Sequence, residues 1–156
     1  MPHLAAARRF LALLTIALAI AACGGDTAPS GSPPPGTGSP LAGTSWIVVS
    51  VNGRSPVPGA VPTVRFDADR VSGSGGCNQF GGSYRANPST QQFAAGELVS
   101  TDMGCLQAGV SAFETTFLQA LGGSTQAALD PIGQLVLSGA AGRIVLVRLE
   151  HPAAPA

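Results

Sequence analysis

Lysine is absent from this sequence and histidine is nearly absent, and each shortage excludes a class of site. The 156 residues include no lysine, and the two histidines are His3 and His151. A phosphate-binding P-loop needs a lysine for the β- and γ-phosphates, and serine and cysteine nucleophiles are usually activated by a histidine or lysine base. We therefore expect neither a nucleotide site nor a catalytic site.

Metal and cofactor motifs are missing as well. The sequence contains no CxxC or HxxxH spacing, whereas a structural zinc site uses four cysteine or histidine ligands. Gly73, Ser74 and Gly75 begin like a dinucleotide fingerprint but lack its third glycine, so we expect no cofactor and no metal. Asp67 and Asp69 are a formal carboxylate pair, yet two acids around one alanine are more typical of a solvated turn.

Charged residues are few and balanced. Eight acidic residues match eight basic ones, and loss of Arg8 and Arg9 with an N-terminal segment would leave six arginines against eight acids. A nucleic-acid-binding protein carries a basic patch or stripe. This sequence has none, so we do not expect nucleic acid as a partner.

The first 22 residues have the pattern of a secretory signal peptide. Arg8 and Arg9 precede an uncharged apolar run over residues 10–22, which is shorter than the roughly 20 residues of a membrane span. Ile-Ala-Ala stands directly before Cys23, and this pattern resembles the bacterial lipobox. In a lipobox, the cysteine sulfur receives a diacylglyceryl group, and the cysteine becomes the first residue of the mature protein. Residues 1–22 are thus predicted to be a lipoprotein signal peptide; the alternative is an ordinary signal peptide.

A spacer is predicted after Cys23, the residue that would carry the lipid. Residues 24–40 contain almost no apolar side chains and many Gly, Pro, Ser and Thr, a composition that cannot offset its ordering entropy. Residues 23–40 are therefore predicted to be a lipidated cysteine with a disordered linker, residues 41–150 one domain, and residues 151–156 a disordered tail. Lipid attachment places the domain in the cell envelope, either on the outer side of the cytoplasmic membrane or in the periplasm or outer membrane.

Most of the domain has the patterns of antiparallel strands. The runs that predict strands occupy residues 44–51, 63–66, 70–74, 81–86, 91–98 and a final hairpin, 133–150. Asn52-Gly53 and Asn87-Pro88 supply turns between them. Because the last hairpin is almost continuously apolar, we expect both faces of its strands to be covered.

A single segment has helical spacing. The apolar residues that recur at three- and four-residue intervals are Val110, Phe113, Phe117 and Leu121. They predict one amphipathic helix at about residues 110–121, with Ser111 and Glu114 as a capping box and Gly122 as a stop. The predicted fold class is mainly antiparallel β (α+β): a curved sheet or small barrel-like β fold with one packed α-helix.

A glycine-rich stretch at residues 71–84, VSGSGGCNQFGGSY, surrounds Cys77. With Cys23 lipidated, Cys77 and Cys105 remain in an exported domain, where disulfides persist. We favour a Cys77–Cys105 disulfide over two free buried thiols that act as small apolar groups. The glycines that would allow left-handed φ angles or close backbone contact at a corner are Gly75, Gly76, Gly81 and Gly82. Asn78 would bond local backbone amides there; the alternative is a ligand cradle of backbone amides.

These segments together resemble the META domain, the family of the HslJ-type heat-shock lipoproteins of bacteria. The similarity covers residues 41–149, and its most specific parts are a Gly-Cys-Asn triplet and an S-T-x-M-x-C motif. The motif residues are Gly76, Cys77, Asn78, Ser100, Thr101, Met103 and Cys105. Gly104 departs from the alanine that members commonly have, and this exchange leaves Cys105 in place.

The resemblance implies a compact, mainly antiparallel β fold with one helix, exported and often lipid-anchored. It also implies a link to heat-shock response, novobiocin resistance, and secretion or motility, without established catalytic residues. We therefore expect a non-catalytic cell-envelope lipoprotein that contributes to stress tolerance or antibiotic resistance by binding a protein or small ligand.

The alternative is an envelope enzyme, or a peptide-binding inhibitor or chaperone-like factor, that uses the surface around Cys77 and Asn78. The interior of the domain separates these hypotheses. A deep pocket lined by Asp67, Asp102 and arginines would favour a ligand-binding protein or an enzyme. A filled interior would favour a protein-interaction module.

Replacement of the lipobox cysteine tests the predicted anchor. Cys23→Ser removes the sulfur that would carry the diacylglyceryl group, so palmitate labelling and membrane retention should both be lost. Metabolic labelling and membrane fractionation measure the two effects. An unchanged membrane fraction would show that residues 1–23 are not a lipoprotein signal.

Overall fold

The computed structural model describes residues 39–87 and 89–150. The predicted signal peptide, Cys23, the greater part of the predicted linker and the predicted tail at residues 151–156 lie outside the described residues. Within the described ranges, no helix is long and apolar enough to cross a membrane.

The described part of the chain forms nine strands and one α-helix. The strands are β1 (Thr44–Val51), β2 (Thr63–Phe66), β3 (Arg70–Ser74), β4 (Gln79–Asn87), β5 (Gln92–Ala95), β6 (Val99–Ser100), β7 (Ser124–Leu129), β8 (Leu135–Gly139) and β9 (Gly142–Arg148). The helix, α1 (Val110–Gly122), lies between β6 and β7 in the sequence.

Eight of the strands close into a small antiparallel barrel. Neighbouring strands follow the order β3-β2-β1-β9-β8-β7-β5-β4, and β3 also pairs with β4, which closes the ring. The short β6 pairs with the first half of β4, whereas β5 pairs with the second half. The predicted fold class, a barrel-like antiparallel β fold with one packed helix, is confirmed.

The contact between β5 and β7 is the weakest seam of the ring. It has one register pair, Gln92 with Gln126, and the amide of Ala127 donates to the carbonyl of Gln91 at 2.9 Å. By contrast, β1 and β9 are paired along most of their length. The barrel wall is therefore least continuous where β5 meets β7.

Side chains fill the interior of the barrel. Buried and half-buried residues alternate along β1, as expected for a strand with one face on a core. The rings of Phe66 and Tyr84 meet edge to face with centroids 4.9 Å apart, and Phe93 packs against both. The barrel thus encloses an apolar core and no wide lumen.

The expectation that the last hairpin is covered on both faces is wrong. Leu137, Ile144 and Leu146 are fully buried in the core, but Val136 and Val145 on the outer face are only half-buried. The outer face stays partly open because α1 lies over one end of the barrel and not against its wall.

Helix α1 closes the end of the barrel at which β1 finishes. Phe117 is fully buried and its ring contacts that of Phe80, at the start of β4, with centroids 5.5 Å apart. Phe113 and Val51 line a shared hollow at the same end. We call this the helix end; the open end is the opposite one, where residues 39–43 lead into β1 and the chain leaves after Arg148.

The predicted helix is confirmed, but its predicted capping box is wrong. Gly109 is the N-cap residue, with a left-handed φ of 84° and no side-chain cap hydrogen bond. Glu114 is buried and its carboxylate bonds to Asn78 instead of the helix start. At the other end, Gly122 is the last helical residue and Gly123 caps it.

Asp67 lies in the turn between β2 and β3, at the open end. Its carboxylate forms an ion pair with Arg65 at 2.9 Å, and its carbonyl accepts a hydrogen bond from the Tyr84 hydroxyl at 2.8 Å. Burial raises the pKa of the Tyr84 phenol, against the opposing effect of a hydrogen bond with Ser39, so this hydroxyl remains a donor at neutral pH. Asp102 lies at the helix end, so Asp67 and Asp102 do not line a common pocket.

Candidate functional site

A buried carboxylate lies at the centre of the candidate site. Glu114, on α1, is 6% exposed, and its Oε1 accepts the backbone N–H of Asn78 at 2.7 Å. Its Oε2 accepts the side-chain Nδ2 of Asn78 at 2.8 Å. Each carboxylate oxygen thus has one donor, as a buried charge requires.

The Asn78 side chain also hydrogen-bonds to the loop before α1. Its Oδ1 accepts the backbone N–H of Met103 at 2.7 Å and the hydroxyl of Thr101 at 2.9 Å. Its Nδ2 also lies 3.4 Å from the Met103 carbonyl. Because Asn78 is 7% exposed and every polar atom of its side chain has a partner, it acts as a fixed link between β4, α1 and the loop.

Three of the corner glycines, Gly75, Gly76 and Gly82, lie where a Cβ would overlap a neighbour. At Gly82 the neighbour is the Glu97 carbonyl oxygen, at 2.6 Å. A Cβ on Gly75 would overlap the Glu114 carboxylate, so only glycine lets the carboxylate approach the corner. Gly76 has a left-handed φ of 110°, and a Cβ there would lie 2.7 Å from the Ala60 carbonyl oxygen. Of the four glycines expected to permit a left-handed φ, Gly76 alone adopts one.

A disulfide joins the corner to the same loop. The structure links Cys77 to Cys105, with their Cα atoms 5.8 Å apart. Gln107 adds a further contact, because its Nε2 donates to the Pro58 carbonyl at 3.2 Å. We call residues 101–109 the tethered loop, since Asn78, the disulfide and Gln107 hold it at separate points.

The cluster does not fit a metal ion in this oxidised form. One ligand atom from each of Cys77, Cys105 and Glu114 lies within 4.8 Å of the others. The metal-binding form of cysteine is the thiolate, however, and here the two sulfurs are bonded to each other. Both oxygens of Glu114 are also engaged by Asn78.

The tethered loop presents apolar side chains to solvent. Met103 is 55% exposed and Leu106 is fully exposed, although the backbone of Met103 is tied to Asn78. Val99, in the adjoining β6, is also exposed. The site therefore combines a fixed backbone with an accessible apolar surface.

All seven motif residues lie together at this corner. Gly76, Cys77 and Asn78 form the turn into β4, and Ser100 lies in β6, where its hydroxyl donates to the Thr101 carbonyl at 2.8 Å. The remaining motif residues are the loop residues Thr101, Met103 and Cys105.

Sequence reasoning missed the role of Glu114, although the sequence contains a signal. Glu114 stands four residues after Val110 and three before Phe117, so it occupies the helix face that is otherwise apolar. An acid at such a position is buried and needs partners. The local capping pattern concealed this, because the partner, Asn78, lies 36 residues earlier.

The sequence model of the META domain matches residues 39–152. The chain belongs to the META domain family. The motif departure at Gly104 is explained by its surroundings, since a Cβ there would meet nothing within 4 Å, so glycine and alanine both fit. No curated protein matches the chain.

Two solved structures are similar to this META domain. An NMR structure of a protein from Burkholderia xenovorans has 24% sequence identity and a TM-score of 0.58, over 71% of this chain and 85% of that one. A second NMR structure has 25% identity and a TM-score of 0.56, over 68% of this chain and 89% of that one. Both likenesses concern the fold.

Replacing Glu114 with glutamine should lower the free energy of unfolding by about 1–3 kcal/mol. Each carboxylate oxygen accepts one N–H of Asn78, and the amide nitrogen of glutamine would leave one of these donors without an acceptor. Urea unfolding measures the difference. Glu97→Gln, at an exposed acid, is the matched control and should change the value by less than about 0.5 kcal/mol; equal losses for both variants would contradict the role of Glu114.

The disulfide predicts the thiol content of the purified protein. A Cys23→Ser variant, unfolded without reductant, should show no free thiol, because Cys77 and Cys105 are bonded. Cys77→Ala should lower the stability by up to about 3–4 kcal/mol, since the bridge closes a loop with a sequence separation of 28. Thiol titration and thermal unfolding measure the two effects, and two titratable thiols before reduction would disprove the bond.

Proposed function

We propose that this protein is a non-catalytic cell-envelope lipoprotein whose META domain binds a protein partner through the tethered loop. The observation that carries the proposal is the exposure of Met103 and Leu106 on a loop whose backbone is fixed. A surface that is already ordered loses little conformational entropy on binding. Methionine is also enriched at protein interfaces.

The filled barrel supports a protein partner over a ligand held deep in the interior. Phe66, Tyr84 and Phe93 are buried inside the barrel and contact one another. The polar atoms of Asn78 and Glu114 bond to each other and to the loop. The polar groups of the corner therefore position the tethered loop, and they are not directed at a substrate.

The first described residues and the tethered loop lie at opposite ends of the domain. Residues 39–43 enter at the open end, and the loop lies beside α1 at the helix end. The predicted disordered spacer at residues 24–40 would hold a lipid-anchored domain off the membrane surface, so Met103 and Leu106 would be accessible to a partner in the envelope space. We propose that binding of this partner contributes to envelope stress tolerance or antibiotic resistance, in line with the family resemblance.

Site-specific crosslinking in cells tests the loop. A photoreactive amino acid at Leu106 should give one defined crosslinked product, because this side chain is fully exposed on the fixed loop. Ile132 is the matched control, since it is also a large, exposed apolar residue but lies in the turn between β7 and β8 at the open end. The same photoreactive amino acid in place of Ile132 should not give this product.

Binding with purified components completes the test. The crosslinked protein, identified by mass spectrometry and purified, should bind the parent chain, and Met103→Ser should weaken binding by about tenfold or more, as loss of a central interface residue does. Ile132→Ser should leave the affinity unchanged. Equal crosslinking from both positions, or equal affinity of both variants, would contradict the proposal.

A further inference from the structure

A second candidate site lies at the open end of the barrel, away from the tethered loop. A cavity of about 350 Å³ opens there between β1, the ends of β7 and β9, and the turn that leads into β5. Its volume falls within the range of small-molecule sites, roughly 300–1,000 Å³, and the mouths of β-barrels are a common place for them. We call this cavity the mouth pocket.

The inner wall of the mouth pocket is apolar. Leu41, Trp46 and Leu135 line it and are otherwise buried in the core. Ala127, a small residue next to the weak β5–β7 seam, lines the side. A hydrocarbon chain or ring placed here would contact apolar side chains and leave water.

The rim of the mouth pocket is polar and carries one positive charge. Gln91 and Gln92 line the rim on the β5 side, and Arg148 lies at its β9 side. The Arg148 guanidinium lies 5.9 Å from the Trp46 ring centroid. Across residues 39–87 and 89–150, the one ion pair within 4 Å joins Arg65 and Asp67, so Arg148 has no carboxylate partner there.

The backbone at the rim is also held in an uncommon conformation. Gln91 has a left-handed φ of 55°, which is rare for a residue other than glycine, asparagine or aspartate. Its carbonyl accepts the amide of Ala127 at 2.9 Å, and this bond fixes the rim across the β5–β7 seam. Such conformations concentrate at binding and catalytic sites.

We propose that the mouth pocket binds a small amphipathic monocarboxylate. Its apolar part would lie against Trp46, Leu41 and Leu135, and its carboxylate would face the guanidinium of Arg148. The amides of Gln91 and Gln92 are available as additional donors at the rim. This site is independent of the proposed partner surface, which lies at the helix end.

Octanoate is a suitable probe, and Trp46 is a built-in reporter. Trp46 is the single tryptophan of the chain and lines the pocket, so a change in its emission reports occupancy directly. Titration of octanoate into the full chain carrying Cys23→Ser should give a saturable change, with a matching heat in calorimetry. Affinity should rise by about fourfold for each added methylene group until the pocket is full. Absence of a saturable change in both signals would overturn the proposal.

Matched ligands and variants test the carboxylate contact. Octylamine has the same chain with the opposite charge and should bind more weakly than octanoate. Arg148→Gln should weaken the affinity for octanoate by roughly three- to fivefold, a modest factor because the guanidinium is solvent-exposed. The same substitution should leave the affinity for octanol unchanged. Arg143→Gln, at an exposed arginine of the helix end, is the control. Equal binding of octanoate and octylamine, or equal effects of the two substitutions, would overturn the assignment.

A pocket-filling variant tests whether octanoate binds in the mouth pocket. Ala127→Leu adds three carbon atoms at the wall of the pocket and should reduce octanoate affinity by tenfold or more, provided that urea unfolding shows a folded protein. Thr125→Leu adds similar bulk at an exposed position of β7 that does not line the pocket, so it should leave binding unchanged. Unchanged binding in folded Ala127→Leu would show that octanoate binds elsewhere.

Discussion

The bond between the Glu114 carboxylate and Asn78 is the contact on which the helix end of this META domain depends. It joins α1, the start of β4 and the tethered loop through two side chains. Burying a carboxylate is unfavourable unless each oxygen has a donor. Here both donors belong to one residue, so Asn78 connects the helix to β4 and, through its Oδ1, to Met103.

Other features of the corner follow from this contact. Gly75 leaves the space that the carboxylate occupies, and the disulfide holds Cys105 two residues beyond Met103. The disulfide and the hydrogen bond from Met103 to Asn78 constrain neighbouring residues of the same loop. Together they oppose the conformational entropy of an exposed apolar segment. This is the physical basis for treating the tethered loop as a binding surface.

The two ends of the barrel arrange their polar groups differently. At the helix end, polar groups are used internally and apolar side chains such as Leu106 face solvent. At the open end, Ile132 is exposed as well, but Trp46 lies inside the mouth pocket and Arg148 stands at its rim. The first arrangement suits a flat partner, and the second suits a small ligand.

The strands and the helix were predictable from sequence where the pattern was periodic. The β-branched runs of β1 and β9 and the spacing of Phe113 and Phe117 are local signals that the core then uses. Strand β7, STQAAL, was missed because its small and amide side chains have little strand propensity; its pairing with β8 places it in the sheet. The Asn78–Glu114 bond and the mouth pocket join segments that are distant in sequence, so no local pattern could predict them.

Amide hydrogen exchange at Met103 measures whether the Asn78 side chain holds the tethered loop. The Met103 N–H donates to Asn78 Oδ1 at 2.7 Å, whereas no hydrogen bond from the N–H of Asp102 or Gly104 is found within the described residues. If the Asn78 side chain fixes the tethered loop, the Met103 amide should exchange far more slowly than its two neighbours. Equally fast exchange at all three amides would show that the Asn78 side chain does not fix the loop.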